Sequence, residues 1–401
     1  MAARRRALRV IPVACGLLVL VGALASLSKG QDSIDRSRVK ELYEKSKRGD
    51  KLTPDEQKYL DRALQELKAK GNPATDPPSA ASGKWEKTIY VGPVKQLLEE
   101  RKEQNAVGYK PLTEMSAAEK HFGEEGGLYG GGRNEPPAAH QQAAQEAVKQ
   151  ITPLDPQGKP SKDGKVAFVC LGMSNTGAEF YRFQEKADRD PAKPAHLILV
   201  NCCWSAGASS WATDGGTWTR ALDQLKKANV SPEQVQVAWI KHAEPFPEPE
   251  KKRLDHARLL RTNLVTSLQL AKKKFPNLRV AYLSSRTYGG YAVNGMRLTN
   301  PEPFAYESAF AIRWTIQEQV KGDPALNYDA KKGKVVAPVL LWGPYLWADG
   351  TTPREDGLTW ERSDYSKDGL HPDASGQQKA VEQLMKFFKN DPNAKPWFVG
   401  K

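Results

Sequence analysis

Two short segments at distant points of the chain carry residue types suited to nucleophilic catalysis. In the first, Ser174 follows Gly172 and Met173 at a turn between an apolar run and a helical pattern. In the second, Asp368 precedes His371 by three residues within Asp-Gly-Leu-His-Pro. A carboxylate so placed can orient one imidazole nitrogen while the other takes a proton from a serine hydroxyl. We therefore predict Ser174 as nucleophile, His371 as base and Asp368 as the acid that orients it. The alternative is that Ser174 only caps a helix and His371 is an incidental surface residue.

These residues need a scaffold that brings them together, and the apolar pattern predicts one. Five near-continuously apolar runs occur at residues 166–171, 197–201, 235–240, 280–284 and 335–342. Helical patterns are found at residues 217–228, 249–274, 306–319 and 375–388. Short apolar strands separated by helices predict a parallel sheet covered on both faces, with ligands at the carboxyl ends of the strands. Ser174 follows the first run and is expected at that edge.

The serine turn after the first strand and the Asp368 to His371 segment before the last helix resemble the first and last sequence blocks of the SGNH hydrolases, also called GDSL-like esterases. The resemblance covers residues 164–391 and keeps the family's order of blocks. It implies a three-layer α/β/α flavodoxin-like sandwich of about five parallel strands. It also implies ester hydrolysis through an acyl-enzyme formed on Ser174. This mechanism requires no cofactor and no metal.

The resemblance further implies an oxyanion hole that includes the backbone N–H groups of Ser174 and Gly207. Gly207 lies in the loop after the second strand, where an ordinary turn glycine is the alternative. The family's third block normally supplies an asparagine after the third strand, and this chain has Lys241 and His242 there. We expect one of these two to replace it, or one donor to be missing. In other enzymes a lost donor costs about 100- to 1,000-fold in rate.

Polar and aromatic residues follow the fourth and fifth strands, at the predicted ligand-binding edge. They are Arg286, Tyr288, Tyr345 and Trp347. Flat aromatic faces beside polar donors suit a sugar ring, and the alternative is that these rings wedge loops onto the sheet. Arg286 is expected either to bind an acidic substituent or to pair with Glu302 or Glu307.

The amino-terminal residues have the order of a secretory signal peptide. A basic start, an apolar run and the small residues Ala23 and Ala25 predict cleavage after residue 25 and export to the periplasm or beyond. A retained anchor is the alternative, but the apolar run is short, so no stable membrane insertion is expected after cleavage. Residues 32–71 predict a helical hairpin and residues 72–84 a linker. Residues 85–163 predict an irregular glycine-rich strap and a helix packed on the main domain.

Two further features leave alternatives open. The glycine-rich segment at residues 126–134 either covers the main domain or places Arg133 or Asn134 in the site. Beyond the leader, Cys170 can pair with Cys202 or Cys203, or all three are small buried side chains.

The formal charge of +13 is scattered among acids, without an aromatic-interleaved basic cluster, which argues against nucleic-acid binding. We favour an exported serine esterase that removes an acyl group, such as acetyl, from a small-molecule or polysaccharide ester. The alternatives are an inactive carbohydrate-binding or scaffold protein on the same fold, and a lipase or phospholipase.

Overall fold

The computed structural model describes residues 42, 45, 52–69, 105–245, 254–292 and 300–399, with the side chains of residues 62–69 left out. The chain divides into two compact units, Met1–Arg101 and Lys102–Lys401. The predicted leader and the predicted linker at residues 72–84 lie outside the described residues.

The described part of the first unit is mainly one helix, α1 (Pro54–Ala69). It begins with a capping box, in which the Glu56 N–H donates to the Thr53 hydroxyl and the Thr53 N–H donates to the Glu56 carboxylate at 2.7 Å. Lys45 donates to the same carboxylate at 3.0 Å. This helix is the second half of the predicted hairpin, and most of the first half lies outside the described residues.

The second unit contains a short antiparallel pair and a five-stranded parallel sheet. The pair is β1 (Lys120–His121) and β2 (Glu124–Glu125). The sheet consists of β3 (Val166–Gly172), β4 (Leu197–Asn201), β5 (Val235–Lys241), β6 (Val280–Leu283) and β7 (Val339–Trp342). Its strand order is β4-β3-β5-β6-β7. This is the flavodoxin-like order, in which the switch point lies between β3 and β5.

Helices cover both faces of the sheet. They are α2 (Ala138–Lys149), α3 (Ser174–Asp188), α4 (Ala208–Trp211), α5 (Gly216–Lys227), α6 (Asp255–Lys274), α7 (Phe304–Val320), α8 (Ala374–Asn390) and α9 (Lys395–Phe398). Along β3, Ala167 and Val169 face an apolar cluster shared with α4 to α7. Val166 and Phe168 face the cluster shared with α2, α3, α8 and α9. The predicted three-layer α/β/α arrangement with five parallel strands is confirmed.

Two predicted boundaries differ from the structure by more than two residues. The last strand begins at Val339 instead of residue 335, because Pro338 has no N–H to donate and the Val336 N–H donates to the Asn327 carbonyl instead. Helix α6 begins at Asp255, after Leu254 in the left-handed conformation, and residues 246–253 lie outside the described residues. Among the described helices, none is both long and apolar enough to cross a membrane.

A long irregular segment precedes the sheet in sequence and docks on its helices and loops. We call residues 105–134 the strap. The N–H groups of Val107 and Gly108 donate to the Asp349 carboxylate at 2.7 and 2.8 Å. The Leu112 N–H donates to the Tyr345 hydroxyl at 3.2 Å. Leu112 and other apolar strap residues are buried in the core that the sheet shares with α4 to α7. The strap therefore completes one layer of the fold.

Candidate active site

Ser174 is the first residue of α3 and lies directly past the carboxyl end of β3, the strand at the switch point. The turn is tight, because a β-carbon on Gly172 would lie 2.7 Å from the Lys241 carbonyl oxygen. The helix N-cap is Met173, so Ser174 does not occupy the capping position. Its hydroxyl instead lies 2.8 Å from His371 Nε2. The helix-cap alternative is therefore wrong.

His371 and Asp368 form a close pair on the loop before α8. His371 Nδ1 lies 2.6 Å from one oxygen of the Asp368 carboxylate. The other oxygen accepts the Ser366 hydroxyl at 2.6 Å and the N–H groups of Leu370 and His371 at 2.8 and 3.0 Å. Ser174, His371 and Asp368 thus form one continuous hydrogen-bonded chain. The carboxylate has several donors that hold it in place.

The ionisation of Asp368 follows from these contacts. Burial by itself would raise the pKa of Asp368. The hydrogen bonds from the His371 ring and backbone and the Ser366 hydroxyl outweigh burial and hold the pKa well below its usual range. A carboxylate that stays ionised accepts the Nδ1 proton of His371. That tautomer leaves Nε2 as the acceptor for the Ser174 hydroxyl.

The loop that carries this pair is fixed by its backbone. Gly369 has a φ of +63°, and a β-carbon there would lie 1.7 Å from the Tyr291 carbonyl oxygen. The Ser366 N–H donates to the His371 carbonyl at 2.9 Å, which closes the loop on itself. The glycine inside Asp-Gly-Leu-His-Pro is therefore required both by its conformation and by its close neighbour.

The backbone N–H groups of Ser174 and Gly207 are the predicted oxyanion donors. Gly207 precedes α4, in a loop fixed beside the serine turn, where Trp204 N–H and Trp211 Nε1 both donate to the Gly172 carbonyl at 3.1 and 3.2 Å. Within the described ranges, neither the Ser174 nor the Gly207 N–H donates to a protein acceptor. We predict that both donate to the negative charge that develops during the reaction.

Lys241 and His242 are the two candidates for the donor that the family's asparagine supplies, and both side chains have partners within the protein. Lys241 is fully buried, and its ammonium donates to the Glu179 carboxylate at 2.6 Å. His242 is also fully buried, with Nε2 3.2 Å from the Ser267 hydroxyl, and burial lowers its pKa to about 3. These contacts correct the expectation for the Lys241 ammonium and for His242 Nε2, whereas His242 Nδ1 is buried without a hydrogen-bond partner.

The predicted aromatic rim is part of the protein interior. Tyr288, Tyr345 and Trp347 are 1%, 5% and 0% exposed. The Tyr345 hydroxyl accepts the Leu112 N–H of the strap, and Trp347 Nε1 donates to Glu302 at 2.8 Å. Their sugar-binding role is therefore corrected: the contacts support the alternative, in which the rings wedge loops and strap onto the sheet.

Arg286 is buried close to the serine turn, with Nη1 3.8 Å from the Met173 sulfur. Neither predicted acidic partner binds it. Glu302 accepts the Gly289 and Tyr306 N–H groups as well as Trp347, and Glu307 lies 3.1 Å from His121 Nε2. Arg286 forms no ion pair within the described residues.

The glycine-rich segment belongs to the strap and does not enter the site. Asn134 donates to the Thr113 carbonyl at 2.7 Å and accepts the Leu128 N–H at 3.2 Å, so it fastens the strap to itself. Arg133 lines a surface depression with Gln317 and Lys321, and that depression includes no residue of the Ser174 chain. The covering interpretation is the one these contacts support.

Sequence reasoning did not single out Trp204, which lies in the Gly207 loop. Its ring is partly exposed, and the Arg220 guanidinium stacks 3.4 Å above it. The signal was present, since Trp204 follows the second strand at the ligand-binding edge.

Cys170 and Cys203 are also neighbours, with sulfur atoms 2.8 Å apart.

The described residues contain no group of three or more histidine, cysteine, aspartate or glutamate side chains that could hold a metal ion.

Comparisons with known proteins add little to this geometry. No protein-family model matches the sequence, and the search of curated proteins finds no match. Among solved structures, the chain is similar to an extracellular lipase from Streptomyces rimosus, with a TM-score of 0.26 and 12% identity over 55% of this chain and 99% of the lipase. A similarity of that size carries no weight for function.

Proposed function

We propose that this chain is an exported serine esterase of the SGNH type, acting on an O-acyl group of a carbohydrate. The observation that carries the proposal is the continuous chain from the Ser174 hydroxyl through His371 to Asp368, with distances of 2.8 and 2.6 Å. These are hydrogen-bonding distances for a nucleophile, its base and the base's orienting acid. The export part rests on the leader and the carbohydrate part on the family resemblance.

The geometry supports a two-step hydrolysis. Ser174 Oγ attacks the ester carbonyl carbon while His371 Nε2 takes the hydroxyl proton. The negative charge that forms on the carbonyl oxygen faces the N–H groups of Ser174 and Gly207. His371 then returns the proton to the departing alcohol, which leaves an acyl group on Ser174. A water molecule, deprotonated by His371, releases the acid and restores the serine.

Two backbone donors serve the oxyanion in this proposal, because the Lys241 ammonium is bonded to Glu179 and His242 Nε2 to Ser267. The family pattern has one more donor. Its loss predicts a rate that is lower by about 100- to 1,000-fold. The same shortfall is the observation that favours the inactive carbohydrate-binding alternative. Against that alternative, the three reacting residues keep hydrogen-bonding geometry.

A lipase is a weaker candidate. The exposed large apolar residues in the described ranges are Phe122, Leu259 and Val320, which are separated in sequence and belong to the strap, α6 and α7. A lipid-binding enzyme needs a contiguous apolar surface beside its nucleophile.

The test compares wild type with Ser174→Ala on p-nitrophenyl acetate and acetylated xylo-oligosaccharides. The matched control is Ser363→Ala, a serine near the His371 loop that takes no part in the hydrogen-bonded chain. We expect Ser174→Ala to lose at least about 10,000-fold in kcat and the control to keep wild-type activity. Equal turnover by wild type and Ser174→Ala would reject the proposed nucleophile. Inert wild type that still binds the oligosaccharides would establish the binding-protein alternative.

A further inference from the structure

Two consecutive residues after β6 carry buried polar atoms without a hydrogen-bond partner. They are Ser285 Oγ and Arg286 Nε and Nη2. These two residues are 1% and 3% exposed. Most buried polar groups in proteins are satisfied, so unpaired donors concentrated on one segment at the ligand-binding edge indicate a ligand.

The carboxylates around Arg286 do not form a hydrogen bond with it. Burial lowers the pKa of Arg286, and the negative charges of Glu179, Glu302 and Asp368 oppose that shift. Each of these carboxylates is hydrogen-bonded elsewhere: Glu179 to Lys241, Glu302 to Trp347 and two N–H groups, and Asp368 to His371. A buried cation without a bonded counter-ion is unfavourable, and an anion from outside the chain would relieve it.

The unpaired atoms of Arg286 define the shape of that anion. Nε and Nη2 share one edge of the guanidinium plane, and this edge donates two parallel hydrogen bonds to a carboxylate. The Ser285 hydroxyl adds one donor beside it. The Thr287 hydroxyl is not counted, because the neighbouring Tyr365 hydroxyl donates its own proton to the Tyr288 carbonyl at 2.9 Å and accepts from Thr287. Three donors match a two-oxygen anion better than the single oxygen of a tetrahedral intermediate.

Arg286 also lies near the reacting serine. Its third nitrogen, Nη1, contacts the sulfur of Met173, the residue that precedes Ser174. Its own strand, β6, is separated from β3 by β5 alone. Adjacent strands are about 4.8 Å apart, so the side chain spans the distance from one strand end towards the other. An anion at Arg286 would therefore belong to the same substrate as the ester at Ser174.

We propose that Ser285 and Arg286 bind a carboxylate of the substrate, so that this enzyme prefers O-acyl esters of acidic sugars to those of neutral sugars. The inference rests on the proposed esterase function and narrows its substrate class. Uronic-acid residues of a polysaccharide have the required chemistry, with a planar carboxylate a few bonds from acylated hydroxyls.

The kinetic test uses Arg286→Gln and, as matched control, Arg279→Gln, an arginine just before the opposite end of β6. Substrates are acetylated glucuronate oligosaccharides, acetylated xylo-oligosaccharides and p-nitrophenyl acetate. We expect Arg286→Gln to lower kcat/KM on the acidic substrate by about 100-fold or more, from the loss of a two-bond charged pair, and to change the two neutral substrates less than about threefold. Equal losses on all three substrates, or no loss on the acidic one, would overturn the proposal.

A binding test separates this proposal from the esterase function. Thermal shift with added glucuronate, and with glucose as control, is measured on Ser174→Ala and on the double variant Ser174→Ala/Arg286→Gln. Stabilisation by glucuronate alone, lost in the double variant, supports the site whether or not the enzyme hydrolyses esters. Equal shifts with both sugars, or none, would reject it. If Arg286→Gln unfolds, Ser285→Ala takes its place. This variant keeps the arginine and is expected to weaken glucuronate binding by a smaller factor than the loss of Arg286 would.

Discussion

Gly369 lies directly against the Tyr291 carbonyl, at the point where a β-carbon would come within 1.7 Å of the oxygen. Gly369 sits between Asp368 and His371 in the loop, and Tyr291 belongs to the segment after β6. The contact therefore fixes the positions of Asp368 and His371 relative to the carboxyl edge of the sheet. A shift of this loop by even about 1 Å would lengthen the bond to Ser174 beyond useful range.

We expect Gly369→Ala to lose most esterase activity, because the side chain can fit only if the loop moves. Gly357 is the matched control, since its φ is +83° and a β-carbon added there would have no atom within 4 Å. Both alanine variants pay the cost of a left-handed conformation, about 1–2 kcal/mol. Chemical denaturation measures the loss of unfolding free energy that the two variants share. The value of kcat/KM reports the displacement of the loop that carries Asp368 and His371. Similar kcat/KM in the two variants would contradict the close-contact explanation.

Asp368→Asn should reduce kcat by about 10,000-fold while leaving the fold intact, because the amide no longer selects the Nδ1-protonated tautomer of His371. A rate on p-nitrophenyl acetate within about tenfold of wild type would show that Asp368 does not orient the base.

The same variant should change how stability depends on pH. The folded pKa of Asp368 is depressed, so its ionisation contributes stability above the unfolded pKa of about 4 and loses it as pH falls through the folded value. The difference in unfolding free energy between wild type and Asp368→Asn should therefore be constant above about pH 5 and shrink below about pH 4. Urea titrations from about pH 3 to 7 measure it. A constant difference over that range would contradict a depressed pKa.

The buried pair of Lys241 and Glu179 should stabilise the fold only as a pair. Both side chains are fully buried, and burial lowers the pKa of Lys241 while Glu179 opposes that shift. Lys241→Met leaves an unpaired carboxylate and should cost about 3–5 kcal/mol of unfolding free energy. The double variant Lys241→Met/Glu179→Leu should recover most of that loss. If the double variant is as unstable as the single one, the cost comes from packing and not from the unpaired charge.

Cys170 and Cys203 should form a disulfide when the protein is oxidised, leaving Cys202 free. Their sulfur atoms are 2.8 Å apart, whereas Cys202 turns to the opposite face and contacts the Ala221 carbonyl at 3.6 Å. Burial raises the pKa of the Cys170 thiol, so the reaction is expected to be slow. Thiol titration of the denatured protein, produced without residues 1–25, should find one free cysteine before reduction. Cys202→Ser should then show none, and three free thiols in the wild type would contradict the pairing.

The sheet could be predicted from sequence because its strands are covered on both faces. Each then appears as a continuous apolar run, such as the one from Val166 to Gly172, whose residues are all buried. The pairing of Asp368 with His371 was equally local, since three residues separate them. The distance between Ser174 and His371 depends on the strand order. Alternation of strands and helices indicates only a parallel sheet, and the flavodoxin-like arrangement was implied by the family resemblance.

The surroundings of the site were harder to predict from the sequence, because they depend on contacts between residues that are far apart in the chain. Tyr345 and Trp347 have the same sequence pattern whether they line a groove or lie beneath the strap. Their burial depends on Leu112 and Glu302, which are far away in the chain. Likewise, the sequence does not show that the Lys241 ammonium is bonded to Glu179 and is not a free donor. Side-chain charge alone does not reveal a partner on another element.

The strap also bears on how the chain is made. One of its bonds joins Val107 to Asp349, 242 residues later. A ribosome adds about 5 to 20 residues per second, so about 12 to 50 s pass between synthesis of the two partners. The strap can dock only after β7 and the loop beyond it have emerged. This layer of the fold therefore cannot be completed until the ribosome has passed Asp349.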